Sequence, residues 1–237
     1  MSTSDSIQKF DSSRADEYRQ QSRIALAGYE ACHELGACML AAALGSGGQA
    51  RVLVAGAGGT AQEILCAGPL EPGWRFTAVD PSGPMLELAR RHLEAAGLSS
   101  RVDWIHGQVQ DVPAQEPFDA ATLIGVLHHL PTDAQKRQIL QDLAARLRPG
   151  APLLLACNQM AYDSQPLLLS AWAQRWRQQG AGPQEVQAKL DRIRQGAIPP
   201  ASEAAVAALL ADAGFGAAQR FFSSLFWGAW ICFKTPD

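Results

Sequence analysis

Apolar and polar positions along the chain follow two different spacings, and their succession predicts an order of strands and helices. Short apolar runs typical of buried strands occur at "RVLVA", "RFTAVD", "VDWIHG", "FDAATLIGVL" and "APLLLAC". Segments with helical spacing separate them, such as "PSGPMLELARRHLEAAG" and "TDAQKRQILQDLAARLRPG". Strands that alternate with helices indicate a parallel sheet covered on both faces, so the pattern predicts a doubly wound, Rossmann-like α/β domain.

The segments on either side of this core show other patterns. Residues 14–44 have helical spacing and end at the glycine-rich linker "GSGGQ", which predicts an N-terminal helical cap over residues 1–48. Two helical stretches without a strand follow Cys157 and predict a helical lid insertion at about residues 158–197. A helix capped by Ser202 and strands in "AAQRFF" and "SLFWGAWICFK" predict a C-terminal β-hairpin. The Rossmann-like domain would therefore span residues 49–237 and contain a seven-stranded sheet.

Composition restricts the classes of protein to which this chain can belong. Hydrophobic residues make up 47% of its 237 residues and charged residues 18%, which favours a compact globular protein. A net charge of −3 disfavours nucleic-acid binding. No apolar run reaches about 18 residues and the N-terminus is polar, so we expect no membrane span and no secretory signal.

Cysteine and histidine usage points to a reducing compartment and away from metal. The five cysteines form no C-x-x-C pair, which suits free thiols in the cytoplasm. His128 and His129 are the only clustered histidines in the sequence, so we expect no metal site. The expected partner is a small-molecule substrate, with no nucleic acid and no membrane, and a homodimer remains open.

The segment "RVLVAGAGGTAQEI" has the pattern of a nucleotide-binding turn between a strand and a helix. Gly56 and Gly58 allow the backbone to turn tightly and to approach a ligand. Asp80 ends the next strand about 20 residues after Thr60, where an acid accepts hydrogen bonds from ribose hydroxyls. Val54 stands where many such loops carry an acid, and Thr60 replaces an expected third glycine. This pattern alone fits NAD, FAD and S-adenosylmethionine (SAM).

Two later segments distinguish among these ligands. "IHGQVQDVP" and "FDAATLIGVLHHLPTDAQKRQILQDLAARLRPGAPLLL" follow in register, and residues 51–157 together resemble the class I SAM-dependent methyltransferases. This resemblance implies SAM as the cofactor and assigns positions to its parts. The methionine part would face Gly56, Gly58 and Thr60, and the ribose would bind to Asp80. The adenine would lie beside Pro81, Met85, Gln108 and Val109. The sulfonium would lie beside Gly125 and His128.

A narrower resemblance covers more of the chain. "FDSSRADEY…GYE", the helical insertion and "ADAGF…RFFSSLFWGAWICFK" are similar to carboxy-SAM synthase, a family that modifies SAM itself. That family carries an Arg followed by a Gly-Tyr in its insertion, but here Arg177 is followed by Gly180-Ala181 and the Tyr is missing. Carboxy-SAM is therefore disfavoured as the product, although a shared architecture with a different reaction is expected.

Several polar and aromatic residues are candidates for the chemistry. His128 or His129 could act as a general base, or both could only shape the pocket. Asn158 could orient an amine or a carboxylate, and Tyr162 could place its ring against the sulfonium within a water-excluding aromatic lid. The N-terminal helices could fold over the cofactor and contribute Tyr18, Arg23 and Tyr29. Of these, Arg23 is suited to pair with a carboxylate.

These observations leave several functions open. The first is a SAM-dependent transferase of secondary metabolism that methylates a small-molecule acceptor. The alternative is a SAM cyclase, in which the amine of SAM attacks its own γ-carbon to give azetidine-2-carboxylate and methylthioadenosine. Carboxy-SAM synthase-like modification is a second alternative, and a non-enzymatic SAM-binding protein is a further one. Val54 and Thr60 mark the methionyl end as the place where the chemistry could depart from methyl transfer.

Overall fold

The computed structural model describes residues 15–114 and 116–236, with side chains from residue 20 onward. Its centre is one seven-stranded sheet in the order β3-β2-β1-β4-β5-β7-β6. Strands β1 to β5 are parallel, and β7 runs antiparallel to both β5 and β6. The predicted doubly wound sheet with a C-terminal hairpin is confirmed. The strands are β1 Arg51–Ala55, β2 Arg75–Asp80, β3 Val102–His106, β4 Ala120–Ile124, β5 Pro152–Asn158, β6 Gln219–Ser224 and β7 Trp227–Phe233.

Helices cover both faces of the sheet and its carboxyl edge. Among the described residues, no helix is both long and apolar enough to cross a membrane. The bounds of the helices are α1 Ala15–Ala25, α2 Tyr29–Leu44, α3 Gln62–Leu70, α4 Gly83–Ala95, α5 Asp133–Arg146, α6 Pro166–Gln178, α7 Pro183–Gly196 and α8 Glu203–Asp212.

The helical pattern over residues 14–44 does not form one continuous helix. Gly28 has φ +80°, in the left-handed region that favours glycine, and the chain turns there between α1 and α2. A Cβ at Gly28 would also lie 3.3 Å from the ring of Phe222 on β6. The break lets α1 and α2 take separate directions, so that both reach the carboxyl edge of the sheet.

Side-chain caps define where three of the helices begin. Thr132 Oγ1 accepts a hydrogen bond from the backbone N–H of Gln135, and Ser202 Oγ accepts one from Ala205 N–H, both over 3.2 Å. Ser82 Oγ accepts a longer one from the N–H of Met85. These residues satisfy N–H groups that the helix itself leaves without partners. The predicted cap at Ser202 is confirmed, and Thr132 rather than Asp133 caps α5.

The helical insertion after β5 joins the N-terminal helices through an aromatic cluster. This cluster consists of Tyr162, Trp172, Trp176 and Phe226, whose neighbouring ring centroids lie 5.2–5.8 Å apart. The indole N–H of Trp172 donates to the backbone oxygen of Ala25 at 2.8 Å, and Arg175 Nε donates to that of Ile24. Helices α1, α6 and α7 therefore form one cover over the carboxyl edge of the sheet.

We expect Trp172→Ala to lower the free energy of unfolding by about 3–5 kcal/mol, because truncation of a buried aromatic side chain leaves a cavity. Trp172 is only 2% exposed, and the change also removes its hydrogen bond to α1. Urea denaturation followed by circular dichroism measures the effect. Leu167→Ala on the same helix is the matched control, because Leu167 is 80% exposed and should change stability by less than about 0.5 kcal/mol. Equal losses in the two variants would contradict the packing described here.

Candidate active site

A cavity of about 390 Å³ lies at the carboxyl ends of β1, β4 and β5, beneath the helical cover. Ligands bind at this edge of doubly wound sheets, where the strand order reverses between β1 and β4. The structure brings most of the predicted site residues together there. Those lining the cavity are Gly56, Gly58, Thr60, Met85, Gly125, His128, His129, Asn158, Tyr162 and Tyr29.

A second group of predicted residues lies beside the cavity, at the ends of β2 and β3. Asp80 is the last residue of β2, and its backbone oxygen accepts a hydrogen bond from Gly107 N–H at 3.1 Å. Pro81 and Gln108 are exposed, whereas Val109 is buried. This placement suits a SAM molecule whose adenosine lies across the ends of the two strands and whose methionyl chain enters the cavity.

The N-terminal candidates are placed differently from one another. Tyr18 belongs to α1, but its side chain lies outside the described part of the chain. The guanidinium of Arg23 lies over the ring of Tyr29, 4.8 Å from its centroid, and forms an ion pair with Glu30. Arg23 therefore has an internal carboxylate partner and is absent from the cavity wall, whereas Tyr29 lines it.

The glycine loop is shaped to accept a ligand beside Asp80. The carboxylate of Asp80 accepts hydrogen bonds from the N–H of Gly58 at 3.0 Å and of Ser82 at 2.8 Å. A Cβ at Gly58 would lie 2.7 Å from Asp80 Oδ2 and 2.6 Å from the Cβ of Met85. Burial raises the pKa of Asp80, and these two backbone N–H groups lower it. The remaining lone pairs of the carboxylate are available to ribose hydroxyls, so the loop fits a nucleoside.

Thr60 connects the loop to the start of helix α2. Its hydroxyl lies 2.6 Å from that of Tyr29 at the start of α2, and both residues are buried. The next residue, Ala61, has φ +49°, which is strained for a residue with a side chain. Helices α2 and α3 pack against each other here, so this part of the cavity wall is built from two helices as well as from the loop.

Asn158 and Tyr162 form a hydrogen-bonded pair in the wall of the cavity. Asn158 Nδ2 donates to the hydroxyl of Tyr162 at 2.8 Å, and Asn158 Oδ1 is buried with no partner among the described residues. Burial raises the pKa of Tyr162, so its hydroxyl stays protonated at neutral pH. Because an unpaired buried oxygen is costly, Asn158 Oδ1 is suited to accept a hydrogen bond from a ligand N–H or O–H.

Of the two histidines after β4, His128 is not equivalent to a free base. Burial, together with the nearby charges of His129 and Lys136, lowers the pKa of His128 well below its usual value. Its Nδ1 accepts a hydrogen bond from the backbone N–H of Asn158 at 3.4 Å. A neutral ring bonded in this way carries its proton on Nε2, and therefore donates rather than accepts there. The ring of His129 lies 4.4 Å from that of His128.

Several residues of the cavity wall were not singled out from the sequence. His33 on α2 and Glu63 on α3 line the cavity, and Trp227 packs edge-on against His128 with 5.0 Å between ring centroids. Arg192 lines the cavity from α7. The available signals were the missing acid at Val54 and the acid at Glu63, one helical turn after the loop.

The strand order, the glycine loop after β1 and the acid at the end of β2 define the class I SAM-dependent methyltransferase fold. Residues 52–150 match the methyltransferase domain family. Through this domain the chain is similar to the class I SAM-dependent methyltransferase superfamily, and these likenesses support SAM as its cofactor. The first resemblance noted in the sequence is thereby confirmed.

Individual relatives cover different shares of the chain. The tRNA 5-carboxymethoxyuridine methyltransferase of Escherichia coli K12 is 35% identical over 121 residues, which are 50% of this chain and 42% of the relative. The carboxy-S-adenosyl-L-methionine synthase of Aeromonas hydrophila is 26% identical over 185 residues, which are 76% of this chain and 72% of the relative. The narrower resemblance therefore does extend further along the chain.

A solved structure shows the same fold with the cofactor bound. Human N-acetylserotonin methyltransferase in complex with SAM superposes with a TM-score of 0.57 at 19% identity, over 78% of this chain and 48% of that one. This chain thus spans less than half the length of that protein and of the Escherichia coli relative. The likeness shows the fold, and a fold does not determine the reaction.

Proposed function

We propose that the protein binds SAM in this cavity and cyclises its methionyl group. The lone pair of the neutral α-amine attacks the γ-carbon, which forms the nitrogen–carbon bond of a four-membered ring. The bond between the γ-carbon and the sulfonium breaks, and its electron pair stays on sulfur. The products are azetidine-2-carboxylate and methylthioadenosine, and the proton lost by the α-ammonium is released.

The unpaired oxygen of Asn158 carries this proposal. Gly125 follows β4, Asn158 ends the neighbouring strand β5, and both line the cavity, so Asn158 stands beside the position that the superfamily resemblance gives to the sulfonium. A methionyl chain that bends back toward its own sulfur would bring the α-amine to this oxygen. The Tyr162 hydroxyl holds the amide in one orientation, which makes Asn158 a positioning group for the attacking nitrogen.

Two polar groups near Asn158 are unsuited to deprotonating a second substrate, which favours a reaction inside SAM. Among the described residues that line the cavity, Glu63 is the only carboxylate, and it stands at the methionyl end. At the other end, the lone pair of His128 is directed at a backbone N–H, and Tyr162 remains protonated. The aromatic cluster excludes water from the leaving sulfonium and offers ring faces to its positive charge.

Methyl transfer to a small-molecule acceptor is the second candidate, favoured by two cations of the cover. Lys189 and Arg192 line the cavity from α7 and could hold an anionic acceptor. Lys189 already contacts Gln21 and Glu185, whereas Arg192 is exposed at the wall. The Escherichia coli relative is named for tRNA, but the net charge of −3 favours a small acceptor here.

Carboxy-SAM formation receives no support from the insertion. Arg177, the position corresponding to the arginine of that family, is exposed and donates to Gln174 Oε1 at 2.8 Å. It does not belong to the wall of the cavity. Therefore the longer likeness to carboxy-SAM synthase describes a shared architecture.

Incubation of the purified protein with SAM alone, followed by mass spectrometry, distinguishes the two candidates. Cyclisation predicts methylthioadenosine and a cyclic amino acid in equal amounts without any acceptor. Intact SAM, with S-adenosylhomocysteine formed only after addition of an acceptor, would support methyl transfer instead. A parallel incubation without protein corrects for spontaneous breakdown of SAM.

A further inference from the structure

The glycine loop lacks its usual acid, but an acid from another element lines the same cavity. Val54, at the usual position of the acid on β1, is fully buried and lines a small chamber of about 10 Å³, large enough for one water molecule. His33 and Glu63 line both this chamber and the main cavity. Carboxylate and imidazole groups thus face the methionyl end from α3 and α2.

The orientation of His33 is fixed by its own helix. Its Nδ1 lies 2.8 Å from the backbone oxygen of Tyr29, and a carbonyl oxygen can only accept, so Nδ1 carries the proton. In the neutral ring, Nε2 therefore keeps a lone pair. The ring also packs against that of Tyr29, with 4.3 Å between centroids, and is only 3% exposed.

A buried hydroxyl adds to the polarity of the small chamber. Thr122 on β4 is 2% exposed, and its Oγ1 has no partner among the described residues. It lines the chamber together with His33 and Glu63. Since buried polar atoms are nearly always hydrogen-bonded, this arrangement is suited to a water molecule between Thr122 and the two titratable groups.

Glu63 is a half-buried acid that lines the cavity. Burial raises its pKa, and the nearby His33 lowers it. Among the described residues no lysine or arginine nitrogen forms an ion pair with it. A carboxylate partly withdrawn from water gains from an opposite charge, so a ligand that brings an ammonium group to this wall would be stabilised.

We propose that Glu63, supported by His33, binds the α-ammonium group of SAM and accepts its proton, after which the methionyl chain bends and the neutral amine moves to Asn158 for the attack. This role rests on the proposed cyclisation. The ammonium N–H bond breaks, the proton moves to a carboxylate oxygen of Glu63, and the electron pair stays on nitrogen. The water-sized chamber and His33 offer the proton a route away from the amine.

Isothermal titration of Glu63→Gln with SAM and with methylthioadenosine tests the binding half of this proposal. Methylthioadenosine has the same adenosine and sulfur but lacks the amino-acid chain. We expect the variant to bind SAM about 10–100-fold more weakly than the wild type and to bind methylthioadenosine equally well. Glu34→Gln, an exposed acid of α2 next to His33, is the matched control and should change neither affinity.

The outcomes separate this role from the cyclisation itself. Equal weakening of both ligands, or no weakening of SAM, would overturn the binding role. Turnover at saturating SAM tests proton acceptance, and an unchanged kcat in Glu63→Gln would overturn that half. If the wild type leaves SAM intact while the variant selectively loses SAM affinity, the proposed cyclisation fails but Glu63 is still the residue that holds the amine.

Discussion

Asp80→Ala should weaken SAM binding by at least about 100-fold. Hydrogen bonds to a charged acceptor contribute about 1.5–3 kcal/mol each, and the loss of two ribose contacts corresponds to at least two powers of ten in Kd. The change also removes the acceptor for the N–H groups of Gly58 and Ser82, which hold the glycine loop against β2. Equilibrium titration with SAM measures the effect.

The matched control for this prediction is Asp103→Ala. Asp103 is an exposed acid on the neighbouring strand β3, so its removal changes the net charge equally without touching the loop. We expect this variant to bind SAM as the wild type does. If both variants lost affinity by the same factor, the effect of Asp80 would be one of overall charge and the ribose assignment would be wrong.

Asn158→Ala should lower kcat for methylthioadenosine formation by about 10–100-fold, provided that Asn158 aims the attacking amine. The expected size follows from the loss of one hydrogen bond to a charged or strongly polar group. KM for SAM should change less than kcat, because most of the cofactor contacts lie on the glycine loop and on Asp80. Steady-state kinetics with SAM as the sole substrate provides both values.

Tyr162→Phe separates the two parts of this pair. The variant keeps the aromatic ring that packs against Phe226 and removes only the hydroxyl that holds Asn158 Nδ2. Its loss of kcat should therefore be smaller than that of Asn158→Ala. A larger loss in Tyr162→Phe, or full activity in Asn158→Ala, would show that Asn158 does not position the nucleophile.

The sheet and most of its ligand edge could be predicted from the sequence because both follow from local patterns. Each buried strand is a short apolar run, and the residue after it falls at the same edge as the residues after its parallel neighbours. Gly56, Asp80, Gly125 and Asn158 follow from this rule. The turn at Gly28 could not be predicted, because residues 14–44 keep helical spacing on both sides of a single glycine.

The part of the cavity wall that contains His33 and Glu63 could not be predicted, for a different physical reason. His33 and Glu63 belong to helices that face the cavity only because α2 packs on α3, and local spacing does not encode contacts between distant helices. Trp227 and Arg192 likewise reach the cavity from elements far along the chain. The absence of an acid at Val54 marked this end of the site as unusual, but it did not indicate which helices line it.

The proposed cyclisation is tested most directly by the fate of the α-nitrogen of SAM. SAM labelled with heavy isotopes at the α-nitrogen and the γ-carbon should yield an amino acid in which nuclear magnetic resonance shows one-bond coupling between the two labels. The methyl group should remain on sulfur, in methylthioadenosine. A product without that coupling, or transfer of the methyl group with the methionyl chain intact in S-adenosylhomocysteine, would contradict the proposed reaction.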